Sequence, residues 1–158
     1  MEKIWTRADG ISMTNPSEES IRSPMPSSEA VRATMRANRR RDTGPELRLR
    51  RELHRRGFRF RVDYRIDVNG GWCRPDLVFT RARVAVFVDG CFWHSCPIHA
   101  THPAANRDWW RAKLDANVAR DRRNDASLEA AGWNVIRVWE HESELLAADL
   151  IAGHIKQA

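Results

Sequence analysis

The chain has 158 residues, 42% of them apolar, and 27 Lys and Arg against 21 Asp and Glu give it a net charge of +6. That is one domain's length with enough apolar residue to bury a core. No run approaches the roughly 20 apolar residues of a membrane helix, and the first residues lack the apolar stretch of a secretion signal, so a cytoplasmic protein with no membrane partner is expected.

Basic residues cluster at Arg36 to Arg41, Arg48 to Arg56 and Arg120 to Arg123, the last including Arg122 and Arg123. One such run reads most simply as a solvated helix face. Three of them beside seven Trp point to a polyanionic partner, nucleic acid first.

In chain order, residues 1–28 are rich in Ser, Pro and Glu without a sustained period and read as a disordered or DNA-contacting arm, leaving 29–158 as the folded domain. Residues 29–39 suit a short helix. A longer one opens at Thr43-Gly44-Pro45-Glu46, with Thr43 as N-cap and Glu46 placed to close a capping box, and it ends at Gly57. Phe58, Phe60, Val62 and Tyr64 then alternate with polar residues as in a half-buried strand. After a turn at 69–71, "RPDLVFT" and "RVAVFVDG" form two strands joined near Arg81, the second apolar enough to be central. A helix spans about 106–131, "WNVIRVWE" is a further strand and 142–156 a closing helix. The order describes a mixed central sheet flanked by helices, an α/β fold.

Several residues could carry chemistry. Asp76 opens a strand, where a carboxylate can face a cleft and serve a hard cation, although Pro-Asp is equally a turn signal. Trp110, Leu114, Asn117, Asp121, Asp125 and Leu128 share one helical face, so Asp121 either lies in solvent or orients a histidine base. Three cysteines do not make a disulfide framework, and metal binding or free thiols fit better. In "CFWHSCPIH", Cys91, Cys96 and His99 supply three zinc ligands, and His94, His102 and His141 compete for the fourth place, His141 slightly ahead of His102. His94 could instead be a free base, and of Phe92 and Trp93 at least one should be exposed, as suits base stacking.

Three stretches, "MRANRRRDTGPELRLRRELHRRGFRFRV", "RPDLVFTRARVAVFVDGCFWHSCPIH" and "WWRAKLDANVARDRRNDASLEAAGWNVIRVWEHE", together resemble the very-short-patch repair (Vsr) family of DNA mismatch endonucleases, from about Met35 to Glu142. The resemblance implies a restriction-endonuclease-like fold and a Mg2+-dependent nick 5′ to the T of a T:G mismatch in double-stranded DNA. It implies Mg2+ at Asp76 and the Val88 backbone carbonyl, His94 as general base, Asp121 as its support and Glu46 near the metal. It also implies a structural Zn2+, Phe92, Trp93 and Trp110 wedged beside the mismatch, and Arg122 and Arg123 on DNA. A monomer associated with the nucleoid and a functional link to a cytosine-5 DNA methyltransferase go with it. The chain departs from the pattern in three ways. The strand "AVFVDG" has no lysine after the catalytic aspartate, Asp89 stands where some relatives have a second histidine, and His141 stands where some have a cysteine ligand. A zinc set of Cys91, Cys96, His99 and His141 is the resulting expectation, with the roles of Cys73 and Asp89 open.

Overall fold

The computed structural model describes Glu29, Arg32, Ala33 and residues 41–157. The expected arm at 1–28 lies outside the described residues, and of the expected helix at 29–39 only those three residues are described, all helical. Helix α1 spans Gly44–Arg55, followed by strands β1 (Arg61–Val62), β2 (Ile66–Val68), β3 (Gly71–Cys73), β4 (Leu77–Phe79) and β5 (Val84–Asp89). Helix α2 (Arg107–Ala130), strand β6 (Asn134–Trp139) and helix α3 (Glu144–Gln157) complete the order. No helix among the described residues is long and apolar enough to cross a membrane.

The sheet order is β1-β4-β5-β6, antiparallel except for the parallel pair β5 and β6, which α2 connects. β5 is central, and its Val84, Ala85 and Val86 are fully buried, as an apolar strand covered on both faces requires. One face packs Leu77, Phe79, Val84, Val86, Ile136 and Val138 against Leu49 and Leu53 of α1 and Ala148 and Ile151 of α3. The other face packs Val78 and Ala85 against Leu128 of α2 and Ile66 and Cys73 of the β2–β3 pair. Cys73 is therefore a core residue, which settles its place. The sheet thus lies between two helical layers, and the ends of β4, β5 and β6 are left to build a site.

Helices α1 and α2 stop where glycine permits the left-handed backbone. At Gly57 (φ 85°) the N–H donates to the His54 carbonyl and Phe58 N–H to Leu53; at Gly132 (φ 78°) the N–H donates to Glu129 and Trp133 N–H to Leu128. These are Schellman closures, in which the residue after the glycine folds back onto the core. The N-terminus of α1 departs from the expected box. Thr43 is the N-cap but makes no side-chain cap bond; its hydroxyl donates to Glu46 Oε1 at 2.9 Å, and Glu46 Oε2 accepts from the Asp42 N–H at 3.0 Å.

The paired part of the first strand is shorter than the alternation suggests, only Arg61–Val62, while Phe58 and Phe60 pack on the core as expected. The β2–β3 hairpin around Asn69-Gly70 was not among the expected elements. Its strands are three residues each, too short for alternation to register.

Candidate active site and metal centre

Asp76 lies between Pro75 and β4, at the edge of the buried sheet. Its Oδ2 accepts the Val88 N–H at 2.7 Å, so the described contact with Val88 is through the amide rather than the carbonyl. Burial pushes the Asp76 carboxyl up to about 6; the Val88 N–H opposes this, and the carboxylates of Glu46 and Asp89 add to it more than Arg50 relieves it. A buried carboxylate with acidic neighbours and too little positive charge is the environment a divalent cation fits. Glu46 is itself 4% exposed and held by Arg50 Nη2 at 2.7 Å, so it is a fixed neighbour rather than a solvated cap.

The loop after β5 carries the histidines. His94 N–H donates to the Gly90 carbonyl and Cys96 N–H to the Cys91 carbonyl, a tight double turn. Ser95, between the two, takes a left-handed φ of 54°. That conformation costs a non-glycine residue about 1–2 kcal/mol, and here it lets Cys96 return to Cys91 while His94 reaches α2.

His94 Nδ1 lies 2.6 Å from Asp121 Oδ2 and 3.6 Å from Asp89 Oδ1. Burial alone would raise the Asp121 carboxyl, but the bond to His94 and the charges of Arg137 and Arg120 hold it below its usual value. Asp121, held toward its ionised form, faces His94 Nδ1 and would accept a hydrogen bond from an N–H there, the contact that orients the ring. Asp89 links the two halves of the site, since its charge acts on Asp76 while its carboxylate lies beside His94.

Two arginines flank Asp121. Arg120 Nη2 donates to its Oδ1 at 3.2 Å, and Arg137 of β6 lies 3.8 Å away. Arg137 is the residue that the sequence reading missed. Its Nη1 donates to both oxygens of Asp89 at 2.8 Å, and its Nε donates to Asp125 Oδ2 at 2.9 Å. Its guanidinium also stacks 4.6 Å from the Phe87 ring centroid. Burial works against this charge, but the bonds to Asp125 and Asp89 more than offset it and keep the pKa above the ordinary arginine value. An Arg inside the apolar run "VIRVW" was the available signal, because a cation that enters a sheet needs carboxylates to meet it.

On the far side of the same loop, Cys91 Sγ, Cys96 Sγ and one ring nitrogen each of His99 and His141 lie within 4.8 Å of one another. Cys91 Sγ is 3.0 Å from His141 Nδ1 and 4.0 Å from His99 Nδ1, and Cys96 Sγ is 3.9 Å from each. A tetrahedral zinc with ordinary bond lengths has ligand atoms about 3.3–3.8 Å apart, and the sulfur–nitrogen distances here scatter to either side of that range, so shifts of a few tenths of an ångström would bring these pairs to zinc-binding spacing. Burial and the neighbouring Cys96 push the Cys91 thiol up to about 11, so it would give up its proton there only to a cation such as zinc. His141, not His102, belongs to the group. Glu140 Oε1 accepts the Cys91 N–H at 2.6 Å and so ties β6 to the loop beside it.

The aromatic residues form one cluster. The ring centroids of Phe92 and Trp93 are 5.0 Å apart, those of Phe92 and Trp110 5.2 Å, and those of Trp93 and Trp110 6.0 Å. Trp93 is exposed, Phe92 half-buried and Trp110 buried. Asn117, buried on the α2 face, donates to the Trp93 carbonyl at 3.1 Å and so finds the partner its position demanded. Arg122 and Arg123 are exposed on α2, just after Asp121.

Residues 27–99 match the family model described as DNA mismatch endonuclease Vsr. The chain is 48% identical over 120 residues to the type II nicking enzyme V.NaeI of Lentzea aerocolonigenes, covering 75% of this chain and 72% of that one. It is 43% identical over 124 residues to the type II nicking enzyme V.XorIIP of Xanthomonas oryzae pv. oryzae, covering 77% and 88%. To the DNA mismatch endonuclease Vsr of Escherichia coli it is 41% identical over 108 residues, 67% of this chain and 66% of that one.

Proposed function

The chain belongs to the Vsr DNA mismatch endonuclease family and is a DNA-nicking enzyme, and from that premise we propose that it cuts one strand of duplex DNA 5′ to the T of a T:G mismatch, as left by deamination of 5-methylcytosine. The reaction is Mg2+-dependent and runs on a restriction-endonuclease-like fold, to which the mixed sheet between helices is suited. What carries the reading is the His94–Asp121 pair at 2.6 Å, linked through Asp89 to the buried carboxylate of Asp76.

His94 is the general base. Asp121 holds the Nδ1 proton and the ring angle, and the proton of the attacking water goes to Nε2. Asp76, with the Val88 carbonyl and Glu46 alongside, would hold Mg2+. When bound, the ion polarises the phosphodiester and stabilises the leaving 3′ oxygen. The Val88 N–H fixes one oxygen of Asp76 and so orients the carboxylate before substrate arrives. Cys91, Cys96, His99 and His141 hold a structural Zn2+ that pins the loop on both sides of His94.

Phe92, Trp93 and Trp110 act as a single wedge with the exposed Trp93 at its front. Unstacking a base step costs a few kcal/mol and least at a mismatch, so insertion itself selects mispaired DNA. Arg122 and Arg123 contact phosphates. The enzyme works as a monomer in the cytoplasm on the nucleoid, and a cytosine-5 DNA methyltransferase is its functional companion, as the source of the modified base. A second reading is favoured by the higher identity to V.NaeI than to the Escherichia coli protein: the nick is made in a flanking sequence different from the latter's.

Nicking of T:G, other mismatched and matched duplexes with randomised flanks, with and without Mg2+, tests both readings. T:G should be cut first, in one strand, and the favoured flanks name the context. Asp76→Ala and His94→Ala should abolish nicking and leave T:G binding largely intact. Retained cleavage by both variants overturns the site, and equal cutting of matched DNA overturns the mismatch specificity.

A further inference from the structure

The β2–β3 hairpin lies outside the site described above and carries an uncommon surface. Its inner residues Ile66 and Cys73 are 5% and 3% exposed, and with Val68 alongside they join the second core. Trp72 between them points the other way and is 53% exposed. The guanidinium carbons of Arg65 and Arg74 each lie 5.4 Å from its ring centroid, and that of Arg61 lies 5.3 Å from the ring of the exposed Tyr64.

The acidic groups nearby do not exhaust these cations. Arg65 Nε donates to Asp67 Oδ1 at 2.8 Å, and Asp63 Oδ2 accepts from Arg41 at 3.1 Å and Arg74 at 3.3 Å. Arg41 also lies 3.8 Å from Asp42, so Arg41, Arg61, Arg65 and Arg74 face Asp42, Asp63 and Asp67 and still outnumber them, while Asp42 is shared with Arg50. The side chains of Arg65 and Arg74 are 54% and 47% exposed. A guanidinium stacked on an indole keeps its donor edge outward, and its remaining N–H groups match phosphate oxygens.

The position decides the partner. Arg74 is two residues before Asp76 and Trp72 four, and a chain reaches at most about 3.6 Å per residue, so their Cα atoms lie within about 7 and 14 Å of that of Asp76. One turn of duplex is about 34 Å long. DNA with its scissile phosphate at Asp76 therefore passes within reach of the hairpin.

We propose that the β2–β3 hairpin, through Trp72 stacked with Arg65 and Arg74, is a second DNA contact that grips the phosphate backbone flanking the scissile bond without reading sequence. The inference rests on Asp76 as the centre of the nicking site. Trp72 serves as the plane that holds both guanidinium groups in place, and the two arginines supply the charge.

Binding of the full chain to a fluorescent T:G duplex tests this, comparing wild type, Arg65→Gln/Arg74→Gln and Trp72→Ala across a salt series. Each phosphate contact adds about 0.9 to the log–log salt slope, so the double variant should bind more weakly with a slope smaller by about 2. Between about 50 and 200 mM salt its gap to wild type should then narrow by about tenfold. Trp72→Ala should lose part of the affinity with both charges in place. Shortening the duplex from the end that lies on the hairpin should erase the difference from wild type. Melting temperatures check that the variants fold, and Trp72→Phe, which keeps a stacking plane, should stay near wild type. If wild type nicks T:G and both the double variant and Trp72→Ala match its affinity and salt slope on every duplex, the hairpin contact is refuted and the nicking site stands. Loss of binding to an acidic protein alone, with DNA binding unchanged, refutes it equally. If wild type neither binds nor nicks duplex DNA, both fall together.

Discussion

Replacing Asp76 with Asn should make the magnesium-free protein more stable, by an amount that grows with pH. The Asp76 carboxyl is pushed from its ordinary value of 3.8 up to about 6 by burial and by Glu46 and Asp89. The folded state therefore holds its proton where the unfolded chain has released it, and the stability that the protonated form contributes is lost as pH rises from about 4 through about 6. A rise of roughly two pKa units amounts to about 3 kcal/mol once the group is fully ionised in both states. Asn retains an oxygen for the Val88 N–H and cannot ionise. At pH 8 the variant should exceed wild type by up to that amount, and at pH 4 the two should nearly coincide. Urea unfolding followed by Trp fluorescence would measure it, in buffer free of magnesium and of chelator so that any zinc is retained in both proteins. Added Mg2+ should then raise the stability of wild type with concentration and leave the variant unchanged. Equal or lower stability of the variant at pH 8 would mean that the Asp76 charge is already compensated within the protein, and the case for a cation there would collapse.

Two further perturbations address the rest of the site. His141→Ala should lower the zinc content of purified protein and its melting temperature together, and full zinc occupancy with unchanged stability rules out the Cys2His2 assignment. Arg137→Met should cost on the order of 3–5 kcal/mol, because it leaves the buried Asp89 and its neighbour Asp125 unpaired. Urea unfolding would measure it, and a loss below about 1 kcal/mol, the size expected of an exposed ion pair, would refute the buried pairing.

The chemistry-bearing loop was legible because its residues are close in the chain. Cys91, Cys96 and His99 declare a ligand spacing by themselves, and even distant His141 follows a strand whose apolar run is plain. The main elements were legible for a similar reason, since α1, α2 and β5 have long periods or unbroken apolar runs and glycines at their ends. Arg137 was not, because its three carboxylates come from β5 and from two turns of α2, and only tertiary structure brings them together. The Asp42 N–H bond of Glu46 was missed for the opposite reason. Thr43-x-x-Glu46 matches a capping box, but Arg50 draws the carboxylate away from its usual partner. Period-two alternation failed for β2 and β3, where three residues per strand are too few to define a face.

The distribution of charge divides the site into two halves with different energetics. Around His94 the carboxylates of Asp89, Asp121 and Asp125 meet Arg137 and Arg120, and Asp121 is held ionised. Around Asp76 the carboxylates of Asp76 and Glu46 meet Arg50, and the Asp76 carboxyl is raised to about 6. Around His94 two arginines thus meet three carboxylates, and their charges help to hold Asp121 below its usual value. Around Asp76 a single arginine meets two carboxylates, and the raised Asp76 carboxyl means that Arg50 does not compensate both; a bound cation would. Such an arrangement would couple cation binding to deprotonation of Asp76, so the affinity for Mg2+ should rise with pH through about 6. Asp89 belongs to both halves, because its charge raises Asp76 while Arg137 neutralises it in part. Where a neutral histidine would leave Asp76 with one acidic neighbour fewer, Asp89 with Arg137 keeps the pair of carboxylates near His94 fixed and the demand for a cation at Asp76 high.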